Sequence, residues 1–324
     1  MMNAASPDVV LLGNLLVDDI VLRDGQTLMG EPGGAVLHAA LAAALWGAKV
    51  GICSVAGTDY PAHALEQLAA KGIDLAGVRR LERTGGRAWL LYEPAVRRTV
   101  HHLDCPSHAD VSPTLADVPA SWFAARAFHL APMPLDRQLE LAHGLAPQVP
   151  GSRLISLDPF ELVRDGTLAA WREVLTHIDL FFVSEDEWRL AGDADAIIPA
   201  LAGPRLAHIA FKRGARGGRL VELHRGQSRT WTSRAREVVD ATGAGDSFAG
   251  GFLAGLVTHG DVSRSIEQGI VSASFAIEDW GGRGLMSATP AVAAARHAEW
   301  FASDELVGRQ AGGNTSPLAS VRRF

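Results

Sequence analysis

Residues 240–252 read DATGAGDSFAGGF, and the chemistry of the chain is concentrated there. Val238 and Val239 read as the end of a strand, and the Ala-, Gly- and Phe-rich run after the turn reads as a buried helix. At the junction, Gly243, Ala244 and Gly245 carry almost no side chain, so backbone N–H groups at the helix start can approach an anion closely. The helix dipole adds about half a positive charge at that end. Asp246 then sets a carboxylate in the same electropositive turn. An anion hole with an acid beside it suits phosphoryl transfer: the backbone steadies phosphate charge while the acid accepts a hydroxyl proton. Glycine-rich turns with a capping aspartate also occur as packing devices, so the neighbouring motifs must decide.

The elements that would position this turn alternate. Val9-Val10-Leu11-Leu12-Gly13 reads as a buried strand, residues 35–46 as an Ala/Leu helix ended by Gly47, residues 49–55 as a strand and 61–71 as a helix. Short apolar runs recur at 127–130, 154–157, 180–183 and 208–212, with helical segments at 135–146, 168–177 and 185–191. Strand–helix alternation implies a parallel sheet covered on both faces. Residues 19–29 and 87–103 break the rhythm as more exposed, strand-like stretches, and 220–232 reads as a hairpin turning at Arg225-Gly226-Gln227.

Further motifs lie along this frame. Gly13-Asn14-Leu15-Leu16-Val17-Asp18 is a strand end followed by an acid, and Gly33-Gly34-Ala35-Val36-Leu37-His38 is a glycine pair opening a helix. Phe182-Val183-Ser184-Glu185-Asp186-Glu187 follows a buried strand, and Phe211-Lys212-Arg213-Gly214-Ala215-Arg216-Gly217-Gly218 ends another in a basic, glycine-rich turn able to meet phosphates. Taken together, from about Val9 to Thr289, the chain resembles ribokinase-like (PfkB family) carbohydrate kinases. The resemblance implies an α/β, Rossmann-like three-layer core with a parallel central sheet, forming one domain over residues 1–302. It adds a small β-sheet lid from about 19–32 and 87–103, and a polar tail over 303–324 reads as poorly ordered.

By the same resemblance Asp246 is the catalytic base, with Gly243, Ala244 and Gly245 as the anion hole. Asp18, Gly33, Gly34 and His38 hold the acceptor; Ser184, Lys212, Gly214 and Gly217 serve ATP. Glu187 helps to organise Mg2+, and Asp240 and Thr242, with residues 276–287, border a K+-like ion. Three positions depart from the family pattern: His38 and Ser184 stand where Asn is usual, and Phe160 follows Asp158-Pro159 in place of another Asn, with Arg164 near. The implied function is ATP-dependent phosphorylation of a hydroxyl, a primary one, on a sugar or polyol. A nucleoside acceptor is the alternative, for which Trp89 and Tyr92 offer stacking surfaces, and a non-catalytic sugar- or nucleotide-binding sensor is a reading from another class. A homodimer through the lid is implied as well.

Composition bounds the remainder. The chain has 324 residues, a formal charge of −6 and two cysteines, Cys53 and Cys105, which suit neither a disulfide framework nor a zinc site. The basic residues are scattered, which argues against nucleic acid as a partner, and no apolar run is long enough to span a bilayer. With no basic-then-apolar leader in residues 1–8, a cytoplasmic location is expected. There is no G-x4-GK[ST] loop and no protein-kinase H-R-D or D-F-G set.

Overall fold

A computed structural model describes residues 6–93, 97–150, 153–190, 201 and 203–310, with side chains to residue 302. The central sheet has nine strands in the order β13-β12-β11-β10-β9-β8-β1-β4-β5. Its members are β1 (Val9–Leu12), β4 (Val50–Ala56), β5 (Asp74–Arg80), β8 (Ala127–Leu130), β9 (Leu154–Leu157), β10 (Leu180–Ser184) and β11 (His208–Lys212), closed at one edge by the hairpin β12 (Gly218–Glu222) and β13 (Gln227–Trp231). From β11 to β5 every pairing is parallel, while β12 and β13 pair antiparallel.

Alternation along β1 divides the core into two clusters. Val9 and Leu11 pack with helices α1 (Ala35–Leu45), α5 (Ala244–His259) and α6 (Val262–Ile277). Val10 and Leu12 pack on the other side with α3 (Leu135–Leu145) and α4 (Leu168–Leu175). The sheet is thus sandwiched between two helical layers, as its continuous apolar strands require. Helices α2 (Ala62–Ala70), α7 (Arg283–Ser287) and α8 (Pro290–Gln310) complete the chain order. The expected tail begins inside α8, and residues 311–324 lie outside the described residues.

The second sheet has four strands in the order β3-β2-β6-β7: β2 (Leu16–Val21), β3 (Thr27–Gly33), β6 (Gly86–Tyr92) and β7 (Arg97–His101). Within it β2 and β6 run parallel, and a bulge falls between Asp18 and Ile20. These strands realise the two excursions from the α/β rhythm, with β2 starting earlier, at Leu16.

One expected helix is absent. Residues 185–190 form a turn and an isolated bridge, Val163 to Trp188, because Glu187 folds back: its Oε2 accepts from the Ser184 amide at 2.7 Å and its amide donates to Ser184 Oγ at 3.3 Å. Ala191, the last residue of that expected helix, lies outside the described residues. One strand escaped the sequence reading: β5 (DLAGVRR) mixes apolar and charged residues because it is the sheet's edge.

Candidate active site

The site forms where parallel strands end and helices begin, the usual place for a ligand in an open α/β sheet. At its centre is the turn into α5. Asp240 fixes that turn: Oδ1 accepts from the Thr242 amide (2.9 Å) and from the Tyr92 hydroxyl (2.8 Å), and Oδ2 accepts from the Gly281 amide (2.9 Å). The Tyr92 hydroxyl also lies 2.8 Å from Thr242 Oγ1, so a residue of the small sheet is bonded to the helix-start loop. Gly243 then takes φ +71°, a left-handed conformation costly for other residues. Ala244 donates only a long 3.4 Å bond, to Ala241. Asp246 occupies the third helical position, where the dipole favours a carboxylate, and no described residue hydrogen-bonds to it.

On one flank, Gly245 lies against Lys212, such that a Cβ there would sit 3.0 Å from Nζ. Lys212 ends β11 and donates to Asp158 Oδ2 at 2.5 Å, while Asp158 Oδ1 is buried without a partner. Burial alone would lower the Lys212 pKa, but Asp158, Glu187 and Asp246 outweigh it, and the ammonium is held charged above its ordinary range. Burial pushes the Asp158 carboxyl up, opposed by Lys212 and reinforced by Glu187 and Asp246. Three carboxylates thus surround one lysine beside the helix N-terminus. Ser184 pairs in register with Lys212 at the adjacent strand end, which is how Glu187 reaches the group. In the turn beyond, Gly214 takes φ +53° with nothing near it, and Gly217 takes φ +79° with the Trp231 carbonyl 1.9 Å from where a Cβ would be.

On the other flank lies the start of α1. The Gly34 Cα approaches the Asn14 carbonyl so closely that a Cβ would meet it at 2.1 Å, and a Cβ on Gly33 would strike the Asp18 carboxylate. Burial pushes the Asp18 carboxyl up to about 7; Arg97 and the Gly34 amide oppose this, Asp240 and Asp19 add to it. His38, one turn into α1, places its ring against Gly243, and both ring nitrogens are buried without partners. Burial holds the imidazole below its ordinary range, against the pull of Asp246 and Asp240. A neutral, unsatisfied imidazole at such a wall is ready to bond a polar ligand.

The site residues expected from the sequence sit at strand ends, helix starts and the turns beside them, on both flanks of the turn into α5. Tyr92, expected as a stacking surface, braces the Asp240 turn by its hydroxyl, and one contributor was missed: Arg97, its cross-strand neighbour in β7, acts electrostatically on Asp18 and His38. The signal for both was period-2 alternation in the small sheet, which puts Tyr92 on the inner face and Trp89 on the outer one. There Trp89 stacks on His102, with centroids 5.1 Å apart, so it is not a wall of this site.

A family model described as pfkB family carbohydrate kinase matches residues 8–288. The chain is 29% identical over 286 residues to the cytidine kinase of Thermococcus kodakarensis, covering 85% of this chain and 97% of that protein. It is 30% identical over 271 residues to a fructokinase of Escherichia coli, covering 79% and 86%. An E. coli protein described as a ribokinase II, solved with ATP and Mg2+, superposes with a TM-score of 0.70 at 20% identity, over 90% of this chain and all of that one. The chain belongs to the pfkB family of carbohydrate kinases, phosphotransferases that act on hydroxyl groups.

Proposed function

We propose that this chain transfers the γ-phosphoryl group of ATP to a primary hydroxyl of a sugar or polyol unit. The observation that carries the reading is the contact of His38 with Gly243: the acceptor-side pocket and the anion hole share a wall, so a hydroxyl beside His38 also lies beside Asp246. Asp18, the Gly33-Gly34 backbone and His38 hold the acceptor. Asp246 takes the hydroxyl proton as the oxygen–phosphorus bond forms and the bond to the β-phosphate bridging oxygen breaks, leaving the electron pair on ADP. The amides around Gly243, Ala244 and Gly245 steady the transferring group, and Lys212 offsets phosphate charge. Ser184, Gly214 and Gly217 shape the nucleotide side.

The residues beside Lys212 fit a hard divalent cation: the donor set of Glu187 and Asp158 is all oxygen, and Asp158 Oδ1 is buried and unspent. Bound Mg2+ would neutralise phosphate charge there. The Gly281–Asp240 bond joins the 240 loop to the 276–287 stretch, and a K+ ion bordered by Asp240 and Thr242 at that junction completes the proposal. Two unpaired cysteines and use of ATP suit a reducing cytoplasm. A lid-to-lid homodimer completes the reading, with Met29 (44%) and Val100 (45%) exposed on the two edge strands of the small sheet. The test is ADP release from Mg-ATP over a panel of sugars, polyols and nucleosides, with and without K+. Turnover with an acceptor, stimulated by K+, is expected; no turnover with any acceptor in protein that binds ATP would count against the reading.

A further inference from the structure

The inner face of the small sheet runs on past Asp18. Asp18, Ala88 and His101 are in register across β2, β6 and β7, so they share that face in one row. Two strand spacings separate the ends of the row, about 10 Å, and the residue between is only alanine. The floor is therefore low between a carboxylate at one end and an imidazole at the other.

The far end is walled by rings. Phe160, two residues after the Asp158 that holds Lys212, reaches across to the small sheet: its ring centroid lies 4.6 Å from that of His108 at 82° and 6.5 Å from that of His101 at 62°. The two imidazoles are themselves 5.1 Å apart. Asn14 donates to the His108 carbonyl at 3.3 Å, and its own carbonyl touches Gly34, which fastens this wall to the acceptor glycines. Three features of the wall call for a ligand. Phe160 keeps 41% of its surface exposed although its ring packs against His101 and His108. His101 Nε2 and His108 Nδ1 are both buried without a hydrogen-bond partner. Burial holds both imidazoles below their ordinary range, His108 at about 4, so each offers one neutral donor or acceptor and no charge.

Resting on the acceptor-site reading above, we propose that the acceptor is a nucleoside, its sugar held at Asp18 and its base stacked on Phe160 with polar edge atoms toward His101 and His108. A pentose alone underfills the row and leaves both imidazole nitrogens unpaired, a cost comparable to a lost hydrogen bond each. A base supplies what the wall lacks: a planar face for an exposed phenyl ring and nitrogen or oxygen atoms at its rim. Of the stacking surfaces expected from the sequence, Trp89 faces away, and Tyr92 is anchored through its hydroxyl to Asp240 and Thr242.

The test is binding of cytidine, uridine, adenosine, inosine and D-ribose to the full chain by calorimetry, with the same acceptors followed by ADP release. At least one nucleoside is expected to bind about 5- to 150-fold more tightly than ribose, the range that base–aromatic stacking supports. Phe160→Ala removes that advantage and leaves ribose affinity unchanged, and Phe160→Tyr restores it. Because Phe160 is exposed, neither variant threatens folding. Ribose binding as tightly as every nucleoside overturns the inference, as does a Phe160→Ala effect confined to ATP. Tight, Phe160-dependent nucleoside binding without ADP release would leave this inference standing and sink the kinase reading instead.

Discussion

Asp18 accepts most strongly from acceptor hydroxyls when ionised, yet burial holds its carboxyl near 7. Because the folded-state value lies above the unfolded value of about 3.9, the folded state binds this proton more tightly than the unfolded chain. The group's stabilising contribution is therefore complete below about pH 4 and is lost as pH rises through about 7. Two outcomes are expected. Acceptor affinity rises with pH through about 7, as the stronger acceptor, the carboxylate, replaces the neutral carboxyl. Asp18→Asn abolishes that dependence and weakens acceptor binding, yet stabilises the free protein at pH 8 by about 1–4 kcal/mol. Urea unfolding at pH 4 and pH 8 measures it, and equal stability of the variant and the parent at pH 8 would contradict the assignment. His38, buried and neutral beside the anion hole, is a second case of binding capacity kept at the expense of satisfaction.

At the scale of elements, the site depends on how closely two helices approach. α1 crosses α5 where Gly250 faces Ala39, and a Cβ on Gly250 would stand 2.1 Å from the Ala39 carbonyl oxygen. Since that obstacle is backbone, Gly250→Ala must push the helices apart, displacing His38 from Gly243. It is expected to cost about 1–3 kcal/mol in urea unfolding and to raise the acceptor KM. Unchanged stability and KM would show that the two helices do not meet closely at Gly250. Sequence periodicity revealed most of these elements, since buried parallel strands are continuous apolar runs and α1 and α5 are apolar almost throughout. It failed where local bonding competed with pattern. The acidic run after β10 looks like a helix start, but the reciprocal Ser184–Glu187 bonds close it into a turn. It failed again at edge strand β5, which has no second neighbour to demand apolar residues.

For the molecule as a whole, the small sheet joins two jobs. Its inner face carries Asp18, Ala88, Tyr92 and His101 toward the site, and its outer face carries Trp89 and Val100. The motifs near 18, 33, 184, 212 and 240–246 could be read from the sequence because each is a short strand-end or helix-start pattern. The Phe160–His101–His108 wall could not, because it joins the loop after β9 to β7 and to the segment beyond it, contacts that no local spacing records. If the outer face pairs two copies, Val100→Glu shifts the protein from dimer to monomer in sedimentation, while a monomeric parent would remove the lid-to-lid proposal. The central claim is that Asp246, at the third position of α5, accepts the acceptor's proton while the helix start holds the phosphoryl group. Turnover of Asp246→Asn, set beside its nucleotide affinity, tests it most directly. A fall of about 10²–10⁴ in turnover is expected, with nucleotide binding nearly intact. Turnover retained at the parent rate would contradict it.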